Sequence, residues 1–444
     1  MKNWSKISQF LLLLFFVSIY GQKALTFENC LDIAFENNLS LKNAKISEKI
    51  ANYQLTNSKT KILPSVNASV GNNYSWGRGI DPNTNSYINQ QFKSYNGSLG
   101  SSLTLFNGFS NITAIKTAKQ ELELNKTTVQ KIKNEITIDI ASKFTTILYL
   151  QDVIKSNQEQ LTSTQKQLEL ITTKFEQGYV AESEVFKVKS QKASEELTLI
   201  NNQNLLSTNI LDLKQLLNIG LDEDIVLVAP TERLFSKLDL ALNDSETIKE
   251  AVHKNPSYII SKINQQKSKL NISSSRSSVF PTLSAGFNLG STFTNSNPLQ
   301  SFNEQVNNNL SYGLNFTLSI PIFSQLNNHY KIKESKLNYE KAINDTQIEK
   351  NRLSKVIIQA INDANASYIK YESSLSNFEF SQKSYEADIL KFDLGKISIN
   401  ELLLTKNNFV NAQSQLIQAK YELLYNQAVV NFYLNDVFSF NKYY

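Results

Sequence analysis

The chain of 444 residues has a formal net charge of +5 at pH 7 and contains one cysteine, 13 glycines and 7 prolines. The positive charge is small and is not concentrated in one basic run, so the sequence gives no reason to predict nucleic-acid binding. A single cysteine excludes an internal disulfide, and the low glycine and proline content favours long uninterrupted helices over a loop-rich fold.

The N-terminus has the layout of a cleavable signal peptide. Lys2 and Lys6 precede an unbroken apolar run at residues 10–17, and small residues follow it. An uncleaved anchor is the alternative, but the run is shorter than the roughly 20 residues that a bilayer-spanning helix needs. We therefore predict a signal peptide over residues 1–21 and a mature chain that begins near Gln22.

Short motifs recur along the chain at a constant offset. The matched pairs share one difference in residue number, for example 281 − 64 = 217 and 395 − 178 = 217. The matched positions are Pro64 and Pro281, Phe106 and Phe323, Gly178 and Gly395, and Asn218 and Asn435. Chance matches would not keep one offset over such a span, so we predict an internal duplication with halves at residues 22–230 and 239–444.

In each half a predicted helix is followed by a β-hairpin. The first helix, at residues 26–62, ends before Pro64 because the residue before a proline avoids helical geometry. Apolar and polar residues then alternate, which predicts hairpins at about 66–106 and about 282–323. A polar loop at roughly 77–94 separates the first two strands. Each strand has about the 9 to 11 residues that a tilted strand needs to cross a bilayer.

A very long helix follows each hairpin. From about 110 to 174 the sequence contains neither glycine nor proline, and apolar residues recur at steps of three and four. At about 1.5 Å per residue this helix would be on the order of 95 Å long. Return helices follow Gly178 and Gly395. The predicted order in each half is helix, hairpin, long helix, tight turn and return helix.

Four strands cannot form a closed barrel, because the smallest membrane barrels use about 8. An open sheet in lipid would leave unpaired backbone groups at a cost of several kcal/mol each. We therefore predict that several copies of the chain share one barrel. The alternative is that the alternating runs form soluble hairpins that pack on the helices.

These features together resemble the TolC family of outer-membrane efflux and secretion channels. The segment from Gly395 to Glu401, followed by Asn411-Ala412-Gln413, is similar to the glycine turn, acidic position and Asn-Ala-Lys/Gln run of the family. The segments at 105–108 and 321–323 look like its strand-to-helix transitions. We assign four residues to the helix-strand transitions: Pro64, Pro281, Phe106 and Phe323.

The resemblance implies an α+β membrane protein. It would be a homotrimer with a shared 12-stranded transmembrane β-barrel in the outer membrane and a long α-helical barrel of 12 helices in the periplasm. It would give substrates an exit duct from periplasm to exterior, within a tripartite efflux pump or a type I secretion system. Its partners would be a periplasmic adaptor (membrane fusion protein), an inner-membrane pump and outer-membrane lipid.

No group of residues in the sequence suggests catalysis. The two histidines, His253 and His329, lie far apart in the sequence (329 − 253 = 76), and no metal-ligand spacing surrounds them. The sequence also lacks a phosphate-binding G-x-x-x-x-G-K-[ST] motif. We therefore predict that the chain is not an enzyme and uses no cofactor or metal.

The two glycine turns are the predicted functional tips. Glycine at Gly178 and Gly395 can take the positive φ that ends one helix before a reversal. A plain helix cap explains them as well, but the resemblance implies that the tips also contact the adaptor. The contact edge would be Gly178, Tyr179, Val180, Ala181, Gly395, Lys396, Ile397 and Ser398.

Two carboxylates near these tips are candidates for a pore constriction. Glu401 matches one acidic constriction position of the family, and Glu184 is its copy in the first half (401 − 184 = 217). The chain departs from the family at the second acidic position, where Leu404 stands. A solvated helix face is the alternative reading of both glutamates. A rival for the whole chain is a structural periplasmic coiled-coil or adaptor protein without a channel, which would not explain the four strands.

Overall fold

The computed structural model describes residues 23–80, 85–230, 245–297 and 299–440. The predicted signal peptide at 1–21 lies outside the described residues, as does the start of the predicted second half at 239–244. The chain divides into two compact units. Unit 1 comprises Met1–Asn43, Gln130–Asn255 and Asn351–Tyr444, and unit 2 comprises Ala44–Val129 and Pro256–Lys350.

The helices and strands follow one another in the same general order in both halves. The first half contains β1 (Lys23–Leu25), α1 (Phe27–Asn37), α2 (Leu39–Thr60), β2 (Ser65–Ile80), β3 (Tyr87–Asn107), α3 (Ser110–Glu176) and α4 (Glu182–Leu217). The chain continues with β4 (Ile225–Leu227), α5 (Ser245–Lys254), α6 (Pro256–Ser277), β5 (Thr282–Thr294), α7 (Phe302–Asn308), β6 (Ser311–Ser319), α8 (Asn327–Asp393) and α9 (Ile399–Asn435). The helices α3 and α8 have 67 residues each, and α2 and α6 have 22 each.

Unit 2 contains an antiparallel sheet with the strand order β2-β3-β5-β6. The two central strands come from different halves of the sequence, and Tyr95 of β3 pairs with Phe293 of β5 with ring centroids 5.8 Å apart. Among the described strands, β2 pairs only with β3 and β6 pairs only with β5. The sheet therefore ends in two open edges.

One face of the sheet carries apolar side chains that a single chain leaves exposed. Val70 and Trp76 on β2 are exposed, and so are Tyr312 and Phe316 on β6. Alternation of these residues with Asn, Ser, Thr and Gly places the polar side chains on the opposite face, since successive strand residues point to opposite sides. An exposed apolar sheet face of this kind needs a partner or a lipid environment.

The strands of the first hairpin are longer than predicted, and the loop between them is shorter. Strand β2 continues to Ile80 and β3 begins at Tyr87, so the polar loop expected at 77–94 is mostly paired strand. Cross-strand pairing overrides the polar composition there, and the Arg78 guanidinium carbon lies 4.4 Å from the centroid of the Tyr87 ring. In the second hairpin, the short helix α7 lies between β5 and β6 and was not predicted. A capping box between Ser301 and Glu304 starts this helix.

The helix predicted at 26–62 is divided at Asn38. The side-chain nitrogen of Asn38 donates to the Leu216 carbonyl oxygen at 3.2 Å. The side-chain oxygen of Asn38 accepts from the Leu41 backbone nitrogen at 3.2 Å. The side chain therefore caps the start of α2, and the Asn38 backbone N–H donates to the Ala34 carbonyl at 2.8 Å at the end of α1. The carbonyl that stabilises the break lies 178 residues away in the sequence (216 − 38), which is why local periodicity does not reveal it.

The core of unit 1 includes an aromatic cluster of Phe27, Phe144, Phe438 and Phe440. The ring centroids of Phe27 and Phe440 are 4.7 Å apart, and those of Phe144 and Phe440 are 5.8 Å apart. Near Phe27, Cys30 is fully buried, and burial raises the pKa of its thiol to about 12. The described segments contain no helix that is both long and apolar enough to cross a bilayer.

Candidate functional site

The α3–α4 turn has the hydrogen bonds of a Schellman motif. Gly178 has φ +81°. Its backbone N–H donates to the Phe175 carbonyl at 2.8 Å, and the Tyr179 N–H donates to the Lys174 carbonyl at 2.8 Å. These two bonds satisfy the carbonyl groups that the end of α3 would otherwise leave unpaired.

The α8–α9 turn has the same backbone bonds. Gly395 has φ +69°, and its N–H donates to the Phe392 carbonyl at 3.0 Å. The Lys396 N–H donates to the Lys391 carbonyl at 2.9 Å. No atom lies within 4 Å of the position that a Cβ would take at either glycine. The backbone conformation therefore favours glycine at both turns, whereas the space there would accept a larger residue.

The helices that follow the two turns begin differently. At α9, the Ser398 hydroxyl accepts from the Glu401 N–H at 3.3 Å and the Glu401 carboxylate accepts from the Ser398 N–H at 3.1 Å, which is a capping box. At α4, Ala181 stands in the capping position and provides no side-chain hydrogen bond. In the second half, both the end of α8 and the start of α9 are capped. In the first half, the end of α3 is capped, but the start of α4 has no side-chain cap.

The two predicted constriction carboxylates accordingly have different surroundings. Glu401 is exposed and caps its own helix. Glu184 is half-buried and accepts a hydrogen bond from the Lys187 ammonium at 3.0 Å, and its second carboxylate oxygen is buried without a hydrogen-bond partner in the described part of the chain. Glu184 and Glu401 each lie three residues after the N-cap residue of their helix. Only Glu401 takes part in a capping box there.

The predicted adaptor-contact edge is mostly exposed. Tyr179 is 78% exposed, Gly178, Ala181, Gly395, Lys396 and Ser398 are also exposed, and Val180 and Ile397 are half-buried. Ile397 packs against the apolar core that lies behind the turns. Leu404, at the predicted second acidic position, is exposed as well.

An apolar core in unit 1 brings the two turns together. Its buried members come from the helix on each side of each turn: Ile171, Val185, Val188, Phe392, Ile399 and Leu402. The Lys174 ammonium lies 4.7 Å from the centroid of the Phe392 ring, so a cation from the first turn contacts an aromatic residue from the second. The two turns therefore form one site.

A buried polar cluster borders this core and was not found from the sequence. The Lys406 ammonium donates to a Glu195 carboxylate oxygen at 3.1 Å and to the Thr164 hydroxyl. The signal was available, because Lys406 follows the buried residues Ile399 and Leu402 by seven and four positions and so lies on the apolar stripe of α9. A lysine on such a stripe requires a partner.

The predicted helix-strand transitions lie in unit 2. Pro64 stands between α2 and β2, and Pro281 directly precedes β5. Phe106 lies at a bulge in β3, and Phe323 follows β6 with an exposed side chain. After β3, Gly108 has φ +64°, and a Cβ there would lie 2.5 Å from the Ser277 carbonyl oxygen. This close crossing admits only glycine.

The two histidines belong neither to the apolar core behind the turns nor to the buried polar cluster. His253 and His329 are both exposed. Across the residues that the structure describes, no group of three or more His, Cys, Asp or Glu side chains could hold a metal ion.

A sequence model of the family described as outer membrane efflux protein matches the chain twice, at residues 30–219 and 247–435. Both turns and the buried cluster lie inside the matched segments.

Individual relatives show the same similarity over most of the chain. The outer membrane protein TolC of Salmonella enteritidis is 21% identical over 410 residues, which cover 90% of this chain and 80% of TolC. Toxin and drug export protein A of Aggregatibacter actinomycetemcomitans is 23% identical over 401 residues, with 88% and 82% covered. The crystal structure of the CmeC outer membrane channel of Campylobacter jejuni superposes with a TM-score of 0.81 at 16% identity, covering 94% of this chain and 87% of CmeC.

Proposed function

The chain belongs to the outer membrane efflux protein family, and we propose that it is the exit-duct subunit of a tripartite efflux pump or a type I secretion system. Members of this family are outer-membrane channels and not enzymes, so the chain is an outer-membrane protein of the TolC family. The cargo would pass from the periplasm to the exterior. The energy would come from an inner-membrane pump, reached through a periplasmic adaptor.

The observation that carries the proposal is the four-stranded sheet with two open edges. Unpaired strand edges in lipid cost several kcal/mol for each unsatisfied backbone group. Pairing β2 of one copy with β6 of the next removes both edges and continues the antiparallel order. The apolar face with Val70 and Tyr312 would then contact lipid, and the polar face would line the pore.

Three copies would close this barrel. Two copies would supply eight strands and three would supply twelve, and the family resemblance favours twelve. The proposal therefore includes a homotrimer with a shared 12-stranded β-barrel, and it includes the internal duplication with halves at 22–230 and 239–444. The equal lengths of α3 and α8, 67 residues each, support the duplication.

Disulfide trapping between copies tests the shared barrel. Ser69→Cys on the polar face of β2 is combined, one at a time, with Gly313→Cys, Asn315→Cys or Thr317→Cys on the polar face of β6. We expect one combination to give a covalent trimer in outer membranes under mild oxidation. The native mass in detergent should be three times that of the chain. A monomer, or a covalent ladder that stops at the dimer, would contradict the proposal.

A matched control uses a pair inside one chain. Ser69 and Ser98 are register partners whose hydroxyl oxygens are 2.8 Å apart. Ser69→Cys with Ser98→Cys should therefore form a disulfide without a change in mass. Cys30 needs no replacement, because it is fully buried and its thiol stays protonated.

The two glycine turns would form the periplasmic mouth and contact the adaptor. Their exposed edge, which includes Tyr179 and Lys396, supports this role. Cross-linking from a photoreactive group at Lys396 should capture the adaptor, and the same group at Lys336, an exposed lysine of α8 in unit 2, should not. Glu401 and Glu184 would contribute negative potential at the mouth and favour cations.

A further inference from the structure

The Lys406 side chain of α9 is buried between two helices of the first half. Its side chain is 2% exposed and that of its ion-pair partner Glu195, on α4, is 5% exposed. The Thr164 hydroxyl of α3 accepts a hydrogen bond from Lys406 and donates one to Glu195. The burial is complete within one chain, so the pair does not depend on other copies.

The Glu195 carboxylate is saturated with donors. The side-chain amides of Gln160 and Gln191 each donate to it at 3.0 Å, in addition to Lys406 and Thr164. Gln191 also donates to the Asn407 side-chain oxygen at 3.2 Å, which links α4 to α9 a second time. A buried charge is tolerated only with partners in good geometry. A shift of α9 by one helical turn would remove those partners from Lys406.

The charge state of the pair follows from its surroundings. Burial lowers the pKa of the Lys406 ammonium, and the Glu195 carboxylate opposes that change. Separating the two would leave one charge buried and unpaired, which is more costly than losing a surface ion pair. The pair therefore penalises arrangements of these helices that separate Lys406 from Glu195.

The cluster lies near both turns. Thr164 comes before Gly178 in the sequence (178 − 164 = 14), and Lys406 comes after Gly395 (406 − 395 = 11). At about 1.5 Å per residue, these separations place the cluster on the order of 15 to 25 Å from the turns. The apolar core of Ile171 and Leu402 lies between them. A displacement of α9 at Lys406 would consequently move the second turn relative to the first.

The duplication offers two matching places for such a pair, and the chain has the pair in only one of them. At the offset of 217, Lys406 corresponds to Lys189, Glu195 to Ala412 and Thr164 to Ser381. Lys189 is exposed, with its ammonium 5.7 Å from the centroid of the Phe186 ring, and Ala412 is buried. The second half thus has no carboxylate at the position that matches Glu195. A buried ion pair can therefore stabilise the packing of α9 on α3 and α4. No matching pair stabilises the packing of α4 on α8 and α9.

From this asymmetry we infer that Lys406 and Glu195 are a registration pair: they select the packing of α9 from the second half against the helix pair of the first half and fix its register at the mouth. The two halves have helices of similar length, 67 and 36 residues in one and 67 and 37 in the other. Apolar packing alone therefore distinguishes poorly between different partners and registers of these helices. A buried polar pair is suited to that selection. Both are positioning residues. The effect on the mouth rests on the proposed channel function.

The decisive variant replaces both charges with apolar side chains of similar size, Lys406→Met with Glu195→Leu. Such a replacement in a buried pair is often neutral or stabilising, so we expect the variant to fold. Without the registration pair, α9 should occupy more than one register. In planar bilayers we expect the spread of single-channel conductance to grow at least twofold, and hydrogen exchange at residues 399–410 to become heterogeneous. A purely structural pair would change thermal stability alone.

The matched control is a half-exposed ion pair of α4, Lys192 and Glu196, 3.4 Å apart, whose side chains are 32% and 47% exposed. Lys192→Met with Glu196→Leu should leave the conductance spread unchanged. A wild-type spread in the Lys406→Met, Glu195→Leu variant would overturn the inference. If that variant fails to assemble, Lys406→Glu with Glu195→Lys decides: wild-type spread supports registration, and a broadened spread overturns it.

Failure of the channel proposal is a separate result. In that case the wild-type protein gives no conductance at all, and the exchange measurement on residues 399–410 still tests the registration pair. A single exchange pattern in the apolar variant would then reject it.

Discussion

The two glycine turns have the same C-terminal cap but different N-terminal caps. Gly178 and Gly395 close α3 and α8 with the same pair of backbone bonds. Only α9 then begins with a capping box, formed by Ser398 and Glu401, whereas α4 begins at Ala181 without one. Matched positions in the two halves therefore keep the backbone conformation, and the differences lie in the side chains that stabilise the next helix.

The glycine substitutions should have the largest effect and should be equal. We expect Gly178→Ala and Gly395→Ala each to cost about 1–2 kcal/mol, because a residue with a Cβ pays that amount at positive φ. Hydrogen exchange of the last turn of α3 and of α8 measures the cost. Gly97→Ala is the control, since Gly97 has no positive φ and nothing lies within 4 Å of its added Cβ. Costs that differ by more than about 1 kcal/mol between the two turns would show that their shared geometry is not equally important.

Removing the one capping box should make the two turns alike. Ser398→Ala should lower the free energy of opening the first turn of α9 by about 1 kcal/mol, because the Glu401 N–H loses its acceptor. Exchange of the N–H groups at residues 400–402 is the measurement. Ser398→Thr, which keeps the hydroxyl, should retain most of the protection. Equal protection in Ser398→Ala would mean that the box contributes nothing.

Adding a capping box to α4 should also reduce the difference in stability between the first turns of α4 and α9. Ala181→Ser places a hydroxyl three residues before Glu184, which completes the sequence of a capping box. The gain for α4 should be about 0.5 kcal/mol, less than the loss at α9, because the bond with Lys187 already restricts the Glu184 carboxylate. Combining Ala181→Ser with Ser398→Ala should reverse the exchange rates of the two helix starts. No change at residues 183–185 would argue that α4 starts without need of a cap.

Neutralising the two carboxylates should affect stability least and ion selectivity most. Glu401→Gln keeps the capping box, since glutamine also serves there, and should change stability by only a few tenths of a kcal/mol. If the exposed Glu401 acts at the constriction, its loss should lower the cation selectivity of single channels more than Glu184→Gln does. Glu386→Gln, an exposed position on α8, is the control. An unchanged reversal potential would remove Glu401 from the constriction.

Local pattern predicted the elements well. The alternation from Leu283 to Phe293 falls inside β5, and the stretch without glycine or proline from 110 to 174 falls inside α3. The glycines at 178 and 395 lie at the reversals with positive φ. The resemblance to the TolC family, which rested on such motifs, is confirmed by the family match over both halves.

The features that the sequence did not predict depend on partners far along the chain. At the division between α1 and α2 the Asn38 side chain bonds to the Leu216 carbonyl, and the buried Glu195 pairs with Lys406, 211 residues away. The side chain of Gln305 in α7 bonds to the backbone of Thr294, which fixes a helix inside a hairpin. A single sequence contains these residues but not the pairings that give them a role.

The pairing of β3 with β5 also affects the time at which the sheet can form. Ser94 and Thr294 are register partners from distant parts of the sequence (294 − 94 = 200), so β3 cannot pair with β5 until that segment has been synthesised. Non-local pairings of this kind slow folding, and an open strand edge promotes aggregation while it waits. At roughly 5–20 residues per second, synthesis of the intervening segment alone takes about 10 to 40 seconds. Until β5 is available, a hairpin of β2 and β3 has two unpaired edges instead of one.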